Sequence, residues 1–192
     1  MIAVPERLPA TAPSAMTVAT TDGGKQWKPT TLVDGEAGEK HLNRIVVGKA
    51  GTWLVTAEGG LVLRAEGTGA DARWSAIETP YKGSLWTGLA LADGALLAGG
   101  MRGNVVRSAD DGRTWTHIPV AQAGSLTGGA VLADGRPVFV GVDGTVVVGD
   151  AAGGSFRVRN LDDRATLTAA VALPGGAIVA STLAGMRNLV MT

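Results

Sequence analysis

Residues 108–115 read SADDGRTW, and weakened copies of this octapeptide recur along the chain. One copy, TTDGGKQW, ends at Trp27, and a more degenerate copy, with AAGG at its centre, ends at Phe156. Trp115 lies 41 residues after Trp74 and 41 residues before Phe156. A fixed spacing of this size indicates a repeat architecture.

The repeated unit extends upstream of each aromatic residue. Gly60, Gly103, Gly144 and Gly185 align four windows without a gap: GTWLVTAEGGLVLR, GALLAGGMRGNVVR, GRPVFVGVDGTVVV and GAIVASTLAGMRNL. Each window follows an apolar segment such as LNRIVVGKA or LWTGLALAD. A unit of about 41 residues therefore contains four short strands separated by glycine turns, which is the pattern of a β-propeller blade.

Composition supports an all-β fold. The 192 residues include 29 glycines and 45% hydrophobic residues, in short apolar runs without helical periodicity. The 17 basic residues balance the 17 acidic ones, so no net positive charge favours nucleic acid. No apolar stretch approaches the roughly 18 residues that insertion into a membrane requires. The chain has no cysteine, which excludes disulfides, thiolate nucleophiles and Cys-based metal sites.

The repeat predicts one domain made of several blades. We expect an irregular leader over residues 1–15, which lacks the apolar core of a signal peptide, and propeller blades over 16–192. Three complete and two partial blades are predicted, at 40–80, 84–119, 125–160, 16–33 and 166–192. The predicted total of 17 strands is one too many for a four-bladed ring closed by its ends. We therefore expect an incomplete propeller, the C-terminal part of a longer one, with a closed four-bladed monomer as the alternative.

The octapeptide predicts a hairpin held by one carboxylate. An Asp before a Gly at a tight turn accepts hydrogen bonds from backbone N–H groups, and the Gly adopts the left-handed conformation. The aromatic residue that follows begins the outer strand and is expected to pack between neighbouring blades. We assign structural roles in these hairpins to Asp22, Trp27, Trp74, Ser108, Asp110, Gly112, Thr114, Trp115 and Phe156.

Repeats of the form S-x-D-x-G-x-T-W, called Asp-boxes or BNR repeats, occur in sialidases and in many non-enzymatic propellers. The phrase GALLAGGMRGNVVRSADDGRTW resembles one blade of the photosystem II stability and assembly factor family. The resemblance implies a propeller that binds other proteins during assembly of a membrane complex and catalyses no reaction. It also implies a partner such as a membrane complex or an envelope transporter, and an extracytoplasmic, periplasmic location.

Two alternatives to protein binding are an Asp-box protein that binds or hydrolyses glycans and a functionless remnant. A sialidase-like mechanism requires an arginine cluster, a Tyr nucleophile and poised carboxylates. Tyr81 is the only tyrosine, and the adjacent Asp162 and Asp163 lie in a connecting loop and project apart. His41 and His117 have no companions at ligand spacing. We therefore expect no catalytic residue, no metal and no cofactor.

The remaining possibility is that the chain recognises a partner through its surface, at the loops that lead into the first strand of each blade. Trp86 stands where the other units have Asn43, Thr127 and Thr168, so no packing requirement common to all blades explains it. Aromatic and cationic side chains together favour a protein interface, although local packing is the alternative for this group and simple solvation is the alternative for Arg102. The predicted binding residues are Arg44, Tyr81, Lys82, Trp86 and Arg102. Exposed blade faces and unpaired strand edges also predict self-association that completes the ring.

Overall fold

A computed structural model describes residues 2–3, 17–67, 72–121 and 123–189 of the chain. These residues form five antiparallel sheets, each built from strands that are consecutive in sequence. No helix in the described part of the chain is long and apolar enough to cross a membrane.

The strands have the following bounds. The N-terminal sheet contains β1 (Ile2–Ala3), β2 (Thr17–Ala19) and β3 (Lys28–Thr30). The first complete blade contains β4 (Leu42–Val47), β5 (Trp53–Ala57), β6 (Leu61–Glu66) and β7 (Arg73–Glu78). The second contains β8 (Leu85–Ala90), β9 (Leu96–Gly100), β10 (Val105–Ser108) and β11 (Thr116–Ile118). The third contains β12 (Leu126–Val131), β13 (Pro137–Gly141), β14 (Thr145–Gly149) and β15 (Phe156–Asn160). The last sheet contains β16 (Leu167–Ala172), β17 (Ile178–Thr182) and β18 (Gly185–Leu189).

Consecutive sheets pack against each other, with their first strands adjacent: β4 contacts β8, β8 contacts β12, and β12 contacts β16. Because side chains alternate along a strand, each blade presents one set to the preceding blade and the other set to the following one. Both faces are therefore apolar, and β13 is buried along its whole length. Three apolar clusters fill the boundaries between neighbouring sheets. The first includes Leu54, Leu96 and Trp115, the second Leu97, Phe139 and Val147, and the third Val138, Val146 and Ile178.

The predicted all-β, incomplete propeller is confirmed. Among the described residues no strand of the N-terminal sheet pairs with the last sheet, so the alternative of a closed four-bladed ring is wrong. The described strands number 18 rather than 17 because Ile2–Ala3 pairs with β2. The prediction of an irregular leader over 1–15 is thus wrong at these two residues, while 4–16 and 190–192 lie outside the described residues.

The turn between the second and third strands is the same in all three complete blades. It is a short 3-10 turn with two left-handed residues, Gly59–Gly60, Arg102–Gly103 and Asp143–Gly144. Gly103 is required there, since a Cβ atom on it would lie 2.5 Å from the Cβ atom of Ala123. The last sheet instead pairs Thr182 with Gly185 across a two-residue turn. Its β18 is therefore shifted by one residue from the gap-free alignment, and Leu189 packs toward the third blade.

The blades have two ends. We call the upper face the end that carries these 3-10 turns and the loops leading into β4, β8, β12 and β16. The N–H groups of Met101 and Val142 donate to the carbonyls of Ser84 (3.1 Å) and Ser125 (3.0 Å), which ties turn to loop. The lower face is the opposite end of the strands, where the turns after each first strand meet the Asp-box hairpins.

Candidate functional site

The lower-face hairpin Ser108–Trp115 is organised around the Asp110 carboxylate. Its Oδ1 accepts hydrogen bonds from the Thr114 N–H (2.9 Å) and the Ser108 hydroxyl (2.8 Å), and its Oδ2 accepts one from the Thr114 hydroxyl (2.6 Å). Burial alone would raise the pKa of Asp110, but these hydrogen bonds outweigh it and lower the pKa to about 2. A carboxylate held as an anion by its own turn has a structural role rather than an acid-base one.

The other two hairpins use the same chemistry with different atoms. Asp22 accepts hydrogen bonds from the N–H groups of Gln26 and Lys25, both at 3.0 Å, and the Gln26 bond is the main cause of its lowered pKa. In the third hairpin the carboxylate belongs to Asp150, which lies one position earlier in the repeat frame than Asp110. Asp150 accepts from the Ser155 hydroxyl (2.6 Å), and this bond is the first cause of its lowered pKa. The displaced position is why the sequence pattern misses Asp150.

The four aromatic residues of the repeat differ in burial. Trp115 is 9% exposed in the cluster between the first and second blades, and its Nε1 donates to the Gly112 carbonyl (3.1 Å). Phe156 packs against Phe139 with 6.1 Å between ring centroids. Trp74 is half-buried. Trp27 is 39% exposed, so the prediction that it packs between blades is wrong, because no described sheet precedes its own.

A buried arginine joins the first blade to the hairpin of the second. Arg64 donates from Nε to the Asp111 carbonyl (2.8 Å) and from Nη2 to the Asp111 carboxylate (3.0 Å), which also accepts from the Thr52 hydroxyl (2.6 Å). Arg107, at the equivalent position of the next blade, donates from Nε to the Ala152 carbonyl (2.8 Å). These contacts hold neighbouring blades together, and the sequence pattern predicts no role for either arginine.

On the upper face, each first strand carries one β-bulge at the same position. The register shifts place the bulged residues at Asn43, Trp86, Thr127 and Thr168. Asn43 Nδ2 donates to the Leu85 carbonyl (2.9 Å), and the Thr127 hydroxyl donates to the Leu167 carbonyl (2.5 Å), so both link their blade to the next. The Trp86 indole makes no hydrogen bond with any described residue. Its indole is half-buried at the end of β8 that meets the upper face, and it does not take this linking role.

The side chains of three predicted binding residues form no hydrogen bond or ion pair with any described residue. Arg44 follows the bulge on β4, is exposed and forms no ion pair within the described ranges. Trp86 lies on the neighbouring strand β8. Arg102 is exposed in the turn between β9 and β10, at a φ of 56°, and its N–H donates to the Ser125 hydroxyl (3.0 Å).

Tyr81 and Lys82, in the loop that leads into β8, are already engaged. Tyr81 is half-buried against the first apolar cluster, and its hydroxyl donates to the Met101 carbonyl (3.0 Å). Lys82 is exposed and pairs with Glu78 (2.5 Å). Tyr81 therefore supports the loop, and the charge of Lys82 is balanced by Glu78.

The described residues do not assemble a catalytic or metal site of the types considered from the sequence. They contain no group of three or more His, Cys, Asp or Glu residues that could hold a metal ion. His117 Nε2 lies 2.9 Å from Asn104 Oδ1, and Asp163 accepts a hydrogen bond from Arg187 Nη1 (2.7 Å). Tyr81 lies at the upper face, where its hydroxyl donates to the Met101 carbonyl.

Comparison with known proteins shows the fold. No protein-family profile and no curated protein matches the sequence. Among solved structures, a catalytically inactive virginiamycin B lyase from Staphylococcus aureus with quinupristin matches with a TM-score of 0.78 and 18% identity, over 93% of this chain and 61% of that chain. YCF48 bound to D1 peptide matches with a TM-score of 0.66 and 20% identity, over 91% of this chain and 58% of that chain. The WD40 repeats of RRP9 match with a TM-score of 0.63 and 13% identity, over 80% and 47% of the two chains.

These similarities agree with the sheet order. The chain is a partial β-propeller. It spans 61% or less of the length of each of these three chains. At such identities the likeness extends to the fold and not to the activity, because one fold serves many functions.

Proposed function

We propose that this chain is a non-enzymatic, protein-binding propeller that contacts its partner through the upper face. The observation that carries the proposal is Trp86, which occupies the bulge position whose counterparts Asn43 and Thr127 hydrogen-bond to the next blade. A large aromatic residue at the surface, freed from that structural task and adjacent to the strand that carries Arg44, has the composition of an interface hot spot.

Charge around Trp86 favours a polypeptide partner with acidic groups at its contact. Arg44 and Arg102 are exposed and have no ion-pair partner among the described residues, whereas Lys82 pairs with Glu78. Guanidinium groups bind carboxylates with two parallel hydrogen bonds, so they add specificity as well as attraction. One relative in fold supports binding to a polypeptide, since YCF48 was solved bound to D1 peptide.

The finer role we propose is assembly or scaffolding of a membrane-associated protein complex, in an extracytoplasmic compartment such as the periplasm. Its support is the resemblance of residues 94–115 to a blade of the photosystem II stability and assembly factor family. The same resemblance suggests an envelope transporter as one such partner.

Site-specific photo-crosslinking tests the binding face. A photoreactive side chain at Lys82, on the upper face, should capture a discrete protein from membrane extract. The matched control is the same group at Lys25, an exposed lysine of the lower-face hairpin Thr20–Trp27. Equal capture from both positions would contradict a specific upper face. Hydrolysis of a sialoside or another glycoside by the purified chain would overturn the non-enzymatic proposal, and this outcome is independent of the crosslinking result.

A further inference from the structure

The side chain at each bulge of a first strand has a task at the boundary with the next blade. Asn43 donates to the Leu85 carbonyl, and Thr127 donates to the Leu167 carbonyl. Both acceptors are the first residue of the following blade's first strand. At two of the three boundaries, therefore, a polar bulge residue fills one particular backbone acceptor.

The same acceptor at the remaining boundary is the Leu126 carbonyl, and its own sheet does not fill it. The Val142 N–H donates to the Ser125 carbonyl (3.0 Å), which makes these two residues a hydrogen-bonded pair. The next pair, Leu126 with Gly141, is then of the non-hydrogen-bonded type, in which backbone groups point away from the paired strand. The Leu126 carbonyl thus faces the second blade, like its counterparts in the other first strands.

The second blade supplies no donor to this carbonyl. Trp86 stands at the bulge position from which Asn43 and Thr127 reach their acceptors, and its indole makes no hydrogen bond with any described residue. Leu126 is fully buried, so a carbonyl without a donor there lowers the stability of the fold. A large aromatic residue kept at such a cost indicates a role in binding rather than in packing.

The charges around the carbonyl restrict what kind of donor a partner can bring. Arg102 lies close to it, because the Arg102 N–H donates to the hydroxyl of Ser125, one residue before Leu126. Arg44 lies on β4, which contacts the strand that carries Trp86. Two exposed guanidinium groups disfavour a lysine or arginine of the partner. A carboxylate has no hydrogen to donate to a carbonyl.

A carboxamide meets both requirements. Its NH₂ group donates, it carries no net charge, and its oxygen accepts a hydrogen bond from a guanidinium group. It is also the group with which Asn43 fills the equivalent acceptor in the first blade.

We propose that the Trp86 indole covers the Leu126 carbonyl and that the partner displaces it with a carboxamide side chain. The carboxamide N–H donates to the carbonyl, its oxygen accepts from Arg102, and the displaced indole packs against the flat amide. Acidic groups elsewhere on the partner remain free to pair with Arg44. This inference rests on the proposed upper-face binding and adds the type of residue that the partner presents there.

A pair of isosteric variants tests whether the carbonyl is an open acceptor. The hydroxyl in Trp86→Thr should donate to Leu126 as Thr127 donates to Leu167, whereas Trp86→Val has the same shape and no donor. We expect Trp86→Thr to melt about 2 to 4 °C above Trp86→Val. Equal melting temperatures would overturn the proposal, since the acceptor would then be filled or out of reach.

Nuclear magnetic resonance of the intact chain tests the carboxamide itself. Labelling of leucine carbonyls with ¹³C and of threonine amides with ¹⁵N selects the two Leu–Thr peptide groups, at Leu126 and Leu167. The capped peptide Gly-Gln-Gly should shift the Leu126 carbonyl resonance saturably and leave that of Leu167, which already has a donor, in place. The matched peptides Gly-Glu-Gly and Gly-Lys-Gly should shift neither. In Trp86→Thr the new hydroxyl occupies the acceptor, so the Gln peptide should no longer shift Leu126.

No Leu126 shift with the Gln peptide, or an equal shift with the Glu or Lys peptide, would overturn the carboxamide site. If a protein were still captured through Lys82, the proposed upper-face function would stand without it. Equal capture from Lys82 and Lys25 together with a Gln-specific shift would have the opposite meaning: the carboxamide site would stand, and the specific protein partner would not.

Discussion

Arg64 and Asp111 are joined across a blade boundary by two hydrogen bonds, one to the carbonyl at 2.8 Å and one to the carboxylate at 3.0 Å. Arg64 is 5% exposed, and Asp111 adopts a left-handed conformation with a φ of 60°. The pair fixes the hairpin of the second blade to the third strand of the first. A blade of this fold therefore depends on polar contacts with its neighbour as well as on apolar packing.

Removal of Arg64 should destabilise the chain. Arg64→Ala leaves the Asp111 carbonyl and part of its carboxylate without a donor, and we expect the free energy of unfolding to fall by roughly 2 to 4 kcal/mol. Urea denaturation followed by tryptophan fluorescence measures this change. Arg73→Ala, at an exposed arginine, should change stability by less than about 0.5 kcal/mol. Similar losses in the two variants would contradict a specific role for the Arg64–Asp111 contact.

The two tryptophans that end Asp-box hairpins should differ in their contribution to stability. Trp115→Ala opens a cavity between two blades and should cost about 3 to 5 kcal/mol. Trp27→Ala removes a side chain that is 39% exposed and should cost about 1 kcal/mol. The same denaturation experiment compares them. If Trp27→Ala were as damaging as Trp115→Ala, the aromatic residue of the N-terminal hairpin would have to be buried in solution.

Acid should destabilise the chain through Asp110. Its folded pKa of about 2 lies below its ordinary value of 3.8, so its stabilising contribution is complete above about pH 4 and is lost as the pH falls toward 2. Hydrogen bonds lower the pKa of Asp22 and Asp150 in the same direction. Asp110→Asn should be less stable than wild type at pH 7, by about 1 to 3 kcal/mol, and should lose less stability between pH 4 and pH 2. Parallel pH profiles for the two proteins would count against the hydrogen-bond explanation.

The 192-residue chain should self-associate. The last sheet exposes Val171, Leu183 and Met186, the second of these at 93%, and the N-terminal sheet exposes Trp27. Apolar surface of this kind on an open sheet favours contact with another chain. Size-exclusion chromatography with light scattering should give a mass above 19.4 kDa that increases with protein concentration. A concentration-independent mass of 19.4 kDa would contradict this prediction.

The sequence predicts the strand order because the repeat is local. Each unit carries its own turn glycines, and a hairpin such as Ser108–Trp115 is stabilised by atoms within eight residues of sequence. The contact of Arg64 with Asp111 joins residues 47 positions apart, so it depends on how two blades pack and leaves no local signal. The one-residue shift of β18 has a similar cause, since glycine alignment does not distinguish a 3-10 turn from a two-residue turn.

The candidate site was predicted only in part, because some of its features depend on strand register and on packing between blades. The sequence showed that Trp86 departs from Asn43 and Thr127, but only the strand register shows that this position is a bulge. The sequence also predicted Tyr81 as a binding residue, whereas in the structure its hydroxyl donates a hydrogen bond to the Met101 carbonyl.

The affinity of the protein captured through Lys82 for three forms of the chain tests the central claim most directly. Biolayer interferometry with the purified partner should show Trp86→Ala binding about thirtyfold more weakly than wild type, which corresponds to about 2 kcal/mol for a hot-spot tryptophan. Trp27→Ala, which removes an exposed tryptophan from the lower face, should bind as wild type does. Circular dichroism should show that all three proteins are folded. Wild-type affinity in Trp86→Ala would contradict recognition through the upper face.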